Sequence, residues 1–135
     1  MNRSLVACTA LTAALCGAPV ATAAPGTCWE TTATAAAEGG VPWEYLHRVK
    51  WCGGPAGITS VSPPTVQARP TDPTCEWRGV RETGTSRAGD SWESFSTGEF
   101  TCRDAAGEPH QVNPWVVVVV HPDGSHDVDR GVAGA

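Results

Sequence analysis

Trp43-Glu44-Tyr45-Leu46-His47-Arg48-Val49-Lys50-Trp51 is the stretch from which the fold is read. Its odd positions hold Trp, Tyr, His, Val and Trp, and its even positions hold Glu, Leu, Arg and Lys. A period of two with aromatic and β-branched residues on one side describes a half-buried β-strand, with the Trp43/Tyr45/Val49/Trp51 stripe turned inward. Gly53-Gly54-Pro55 ends the strand, and Ile58-Thr59-Ser60-Val61 is expected to return along it as a hairpin.

Downstream, residues 62–74 carry four prolines and read as an extended connector. Beyond it the chain stays strand-like. Thr74 to Glu82 holds Trp77 and Val80, Thr83 to Asp90 reads as a polar loop, and Ser91 to Cys102 holds Trp92, Phe95 and Phe100 with a turn or bulge at Ser96-Thr97-Gly98. After a turn at Asp104 to Pro109, Trp115 to Val120 is apolar on both faces, the pattern of a strand in the middle of a fold. Pro122-Asp123-Gly124 is hairpin chemistry, and Ser125 to Arg130 should pair back along the valines. Upstream, Thr31 to Glu38 predicts one or two helical turns stopped by Gly39-Gly40. Six to eight short strands with such turns predict an all-β fold, a small antiparallel sandwich or barrel.

The N-terminus carries a different message. A charged start at Arg3, an apolar run from Leu5 to Cys16 and the small-residue site Ala21-Thr22-Ala23 form the layout of a secretory signal peptide. The run is too short to span a bilayer, which takes about 20 residues. Residues 1–23 are therefore expected to be removed, leaving 24–135 as a single domain, since neither half around the proline connector could bury its own core. Leu5-Val6-Ala7-Cys8 imitates a lipidation box but precedes the apolar run. Four cysteines remain, Cys28, Cys52, Cys75 and Cys102, an even number that in an exported chain reads as two disulfides. Three pairings are possible, of which the sequential one, Cys28–Cys52 and Cys75–Cys102, is favoured. No C-x-x-C spacing supports a metal site.

The functional reading proceeds mostly by exclusion. Nine basic against fourteen acidic residues, a formal charge of −5, offer no basic face for nucleic acid. Six Trp, all beyond the signal, suggest either a sugar-stacking surface or core packing on the disulfides they adjoin. Trp92, beside the polar loop, is the indole expected to be most exposed and the first ligand-binding candidate. Arg87, within that loop, is the second, as a residue offered to a trypsin-like pocket. His121, Asp123, His126, Asp127 and Asp129 could suggest a metal, but a three-residue hairpin loop sends His121 and His126 to opposite faces, leaving Asp127 and Asp129 free to join His121. A polar hairpin tip accounts for them. Glu93 and Glu99 could imitate a glycosidase pair, yet such a pair needs a cleft, for which a small stapled β domain is expected to have little volume, and no nucleophile elbow or phosphate loop is present.

Trp43-Glu-Tyr45-Leu-His-Arg-Val49-Lys-Trp51-Cys52-Gly-Gly, followed by Ile58-Thr59, and the later Trp92…Gly98-Glu-Phe100-Thr-Cys102, resemble a pattern in short exported proteins of actinobacteria. That resemblance implies a disulfide-stapled β domain outside the cell and assigns no activity. The bias of eight Arg to one Lys in the whole chain agrees with a GC-rich genome. The expectation is a secreted, non-catalytic domain without cofactor, binding an extracellular glycan, cell-wall polymer or protein. Its alternative is a secreted inhibitor of an extracellular hydrolase. Neither nucleic acid nor, after signal cleavage, a membrane is expected as a partner.

Overall fold

The computed structural model describes residues 26–133, so the signal-like segment 1–23 lies outside the described residues. Eight strands follow one another: β1 (Thr27–Ala36), β2 (Trp43–Gly54), β3 (Gly57–Val61), β4 (Thr65–Pro70), β5 (Cys75–Ala88), β6 (Ser91–Arg103), β7 (Pro109–Val120) and β8 (His126–Ala133). They make two antiparallel sheets. In the first, β2 is central, with β1 on one side and β3 and β4 sharing the other, opposite the C-terminal and N-terminal ends of β2. The second is a meander, β5-β6-β7-β8. The sheets pack face to face as an all-β sandwich, as the strand count and turn spacing predict. No helix among the described residues is long and apolar enough to cross a membrane.

Four local expectations are corrected. Thr31 to Glu38 does not form helical turns: residues 27–36 are strand, and only Glu38–Gly40 makes a short 3-10 turn. Helix propensity, highest for alanine, is only a weak constraint, and here full-length pairing with β2 overrides it, with Ala33 opposite His47 and Ala35 opposite Tyr45. Within the proline-rich connector, Thr65–Pro70 pairs with β2 from Trp43 to Arg48, with prolines just before the strand and at its end, on the sheet edge. The expected loop 83–90 is strand up to Ala88, and a two-residue turn follows, with Gly89 at φ +64°. The irregularity foreseen at Ser96–Gly98 lies instead on the facing strand, as register shifts between Trp77 and Gly79 and between Val80 and Glu82.

The core lies between the sheets. Trp43, Tyr45, His47, Val49 and Trp51 on β2 are all at most 4% exposed. Against them stand Phe100 of β6 and Val112, Val116, Val118 and Val120 of β7. Trp77 packs on Phe100 and Tyr45, with ring centroids 4.9 and 5.9 Å apart. Gly98 makes this possible, because a Cβ there would lie 2.6 Å from both the Tyr45 and Trp77 rings. The valine strand is interior to its sheet, but only its even positions reach the core. Trp115, Val117 and Val119 lie half-buried on the outer face, with the Trp115 ring resting over Gly131.

In the middle of this apolar layer sits His47, fully buried. Its Nδ1 is 2.6 Å from the Ser96 hydroxyl and its Nε2 2.9 Å from the Ser94 hydroxyl, both on the opposite sheet. Hydroxyls can donate or accept, so a neutral imidazole satisfies both nitrogens. Burial pushes the His47 pKa down to about 4. The Tyr45 hydroxyl lies in the same buried layer without a well-formed hydrogen bond, and burial raises its pKa.

Both disulfides have the favoured pairing, and each joins directly opposed residues of neighbouring strands: Cys28–Cys52 across β1 and β2, Cys75–Cys102 across β5 and β6. They differ in setting. Cys75 and Cys102 are buried between the sheets, whereas Cys28 is exposed on the outer face. Alternation therefore turns Trp29 and Trp51 away from the disulfide they adjoin in sequence. Two disulfides suit an oxidising compartment.

Two predictions follow from burial. Between about pH 6.5 and 4 the unfolded chain binds a proton at His47 that the folded protein refuses, so stability falls as pH drops through that window. The loss reaches roughly 3 kcal/mol at the lower end. Urea unfolding at a series of pH values should show this slope in the wild type and lose it in His47→Gln. Second, loop closure gives each disulfide about 3–4 kcal/mol. Replacing Cys75 and Cys102 together with Ala should cost more than replacing Cys28 and Cys52, because the first change also empties core volume. Urea unfolding of the two double variants measures the difference.

Candidate functional site

Three hairpin turns meet at one end of the sandwich: Gly53–Gly57 between β2 and β3, Gly89–Asp90 between β5 and β6, and His121–Ser125 between β7 and β8. With the first residues of β1 they enclose an open cleft of about 820 Å³, lined by Trp29, Pro55, Asp90, Ser91, His121 and Asp123 among others.

The β7–β8 turn is fixed from both sheets. The His121 N–H donates to the Ser125 carbonyl (3.0 Å), and the His121 carbonyl accepts from the Gly124 N–H (3.1 Å) and the Trp51 indole N–H (3.0 Å). Asp123 Oδ1 accepts from the Ser125 backbone N–H (2.9 Å) and hydroxyl (2.6 Å), which holds its carboxyl below the usual carboxylate range. Gly124 has φ +91°, as the Pro-Asp-Gly turn predicts, and the Trp29 indole lies directly against it. Pro122 packs over Gly53, where a Cβ would meet its backbone at 3.2–3.3 Å. Trp29 thus forms a wall of the cleft and also clamps the opposite sheet's hairpin, backed by Trp51 at 5.8 Å.

Beside this wall lies a chain of three side chains. Asp127 Oδ2 is 2.8 Å from His121 Nε2, and the Ser91 hydroxyl is 2.6 Å from His121 Nδ1. A carboxylate only accepts, so Nε2 carries a proton, and in the neutral ring Nδ1 accepts from Ser91. His121 and Asp127 share a face, as alternation about a three-residue loop requires, while His126 turns inward to Thr31 (3.2 Å) and the edge of Trp51 (6.0 Å). Among the described residues no group of three or more His, Cys, Asp or Glu is placed to hold a metal ion.

No protein family, curated protein or solved structure matches this chain. The site is accordingly read from its own chemistry.

The residues singled out from sequence fall in different places. Trp92 is half-buried and packs against the core at the start of β6, without lining the cleft. Arg87 is exposed on β5 opposite Trp92, its Nε donating to the Gly89 carbonyl at 3.1 Å, so it stands on a strand and not on a protruding loop. Glu93 and Glu99 both lie on the outer face of β6, six positions apart, or roughly 20 Å along a strand, too far for a glycosidase pair. Glu99 is moreover engaged by Arg81 and Gln111, and the hydrogen bond from Arg81 leads in holding its carboxyl below the usual range. Sequence reasoning passed over Trp29 and Ser91, whose neighbours in space come from strands far along the chain.

Gly124→Ala would set a Cβ against the Trp29 ring at a positive φ, and should lower stability by about 1–3 kcal/mol. Gly107→Ala, at φ +81° with nothing within 4 Å, isolates the backbone part of that cost. Urea unfolding of both variants should show the larger loss for Gly124.

Proposed function

We propose that the protein is a secreted domain that binds a saccharide in the cleft at the end of the sandwich. The observation that carries this reading is the pairing of an aromatic wall, Trp29, with hydroxyls and carboxylates in one open cleft. An indole face suits the apolar face of a pyranose, while Asp90, Asp123, Ser91 and Ser125 offer acceptors and donors for its hydroxyls. Asp90 and Asp123 give the cleft a negative character, which disfavours acidic sugars and admits neutral or amino sugars. Secretion is supported by the signal-like residues 1–23 together with the two disulfides, and the resemblance to exported actinobacterial proteins is consistent with it. No observation favours the inhibitor alternative, since the 83–90 segment that was to present Arg87 is strand up to Ala88.

Titration of the oxidised protein with neutral oligosaccharides, followed by tryptophan fluorescence, tests the proposal. Trp29→Ala should weaken binding about ten-fold or more, the effect of losing a central aromatic contact. Trp115→Ala, on the outer face of the second sheet, should leave it unchanged. Binding insensitive to Trp29 but lost with Trp115 would move the site to that face and overturn the proposal.

A further inference from the structure

We infer that Ser91, His121 and Asp127 form a hydrolytic triad, which makes the cleft a site for cleaving small O-acyl esters carried by the bound saccharide. This deepens the saccharide reading and rests on it for the alcohol part of the substrate. Three separate strand ends supply the groups: Ser91 opens β6, His121 follows β7 and Asp127 lies near the start of β8. The contacts of 2.6 and 2.8 Å are short enough for proton transfer and orientation, and the chemistry of the carboxylate fixes the tautomer that leaves Nδ1 basic. Ser91 and His121 both line the cleft, which puts the pair beside the space a substrate would fill. His121 is rigidly placed, because its backbone N–H and carbonyl are both taken up by the turn and by Trp51. The hydrogen bonds satisfy no buried group that needs them: the Asp127 side chain is 80% exposed and that of His121 29%. The ring is turned relative to the commoner arrangement, with Nδ1 toward the hydroxyl, but either imidazole nitrogen can act as a general base.

The reaction balances with water as co-reactant. His121 Nδ1 takes the Ser91 proton as Oγ attacks the acyl carbon. The sugar oxygen then leaves with that proton, and an acyl ester of Ser91 remains. Water attacks this ester, passing a proton to Nδ1, which returns it to Ser91 Oγ as the carboxylic acid departs. Asp127 accepts the Nε2–H throughout and offsets the charge on the imidazolium, so it is a positioning residue.

A fluorophosphonate probe with peptide mapping tests the triad directly. The oxidised wild-type protein should be phosphonylated at Ser91, and His121→Gln should slow labelling at least about a hundred-fold, the usual size of a general-base contribution. On 4-nitrophenyl acetate, Asp127→Asn should lower kcat about ten-fold or more with KM unchanged, and Asp127→Glu should restore part of it. Circular dichroism confirms that each variant is folded. No label on Ser91 in the folded wild type, or equal labelling without His121, would overturn the triad. Binding of the non-acylated saccharide to unlabelled wild-type protein is measured separately. Its absence alongside labelled Ser91 would overturn the saccharide reading while leaving the hydrolase, with a different alcohol in its ester.

Discussion

Everything in this molecule depends on two sheets meeting in one register, and a buried imidazole sets that register. His47 lies in the centre of an otherwise apolar layer, where a polar group without partners would cost about 1–3 kcal/mol. Its two nitrogens reach Ser94 and Ser96 across the interface, two adjacent inward positions of the same strand. Sliding the sheets by one pair of residues would break at least one of these bonds with no water to replace it. The aromatic contacts around it, Trp43 on Phe100 and Tyr45 on Trp77, supply most of the burial but tolerate small shifts. The imidazole does not.

That alignment is what brings the end of the sandwich into order. With β2 fixed over β6, Trp51 reaches the His121 carbonyl and Trp29 lies on Gly124. At the rim, Arg130 donates to the Thr34 carbonyl at 2.7 Å, another tie between sheets. The turn carrying His121 is consequently shaped by residues from the other sheet, while Ser91 and Asp127 arrive from its own. A cleft assembled from three hairpin turns on a cross-linked scaffold needs little ordering on binding, which favours a small ligand.

Much of the architecture can be read from single residues in order. The odd-position stripe of β2, the strand character of the valine run and the Pro-Asp-Gly turn each have a local signature and are found in the structure, and of the three cysteine pairings the favoured sequential one is formed. The parts that escaped are those decided by a partner strand. Thr31–Glu38 looks helical because its alanines carry no strand signal of their own, and they become strand because small side chains fit beside Tyr45 and His47. Thr65–Pro70 looks like a linker because a strand sharing one side of β2 with another needs only a few pairings. Residues 83–88 look like a loop because both faces at the end of β5 are solvated. The cleft was the least legible. His121 and Asp127 were placed on one side of a sheet by alternation, but nothing in the sequence ties Ser91, thirty positions away, to the same ring, and Trp29 reads as a neighbour of a cysteine.

The most direct test is the state of the His47 ring. In the folded, oxidised protein, nitrogen-detected NMR of the imidazole at pH 6 should show a neutral ring with its N–H slow to exchange, since burial pushes its pKa down to about 4. A His47 ring that titrates at the ordinary value near 6.5, or whose N–H exchanges freely with solvent, would contradict the claim that a buried imidazole locks the two sheets together.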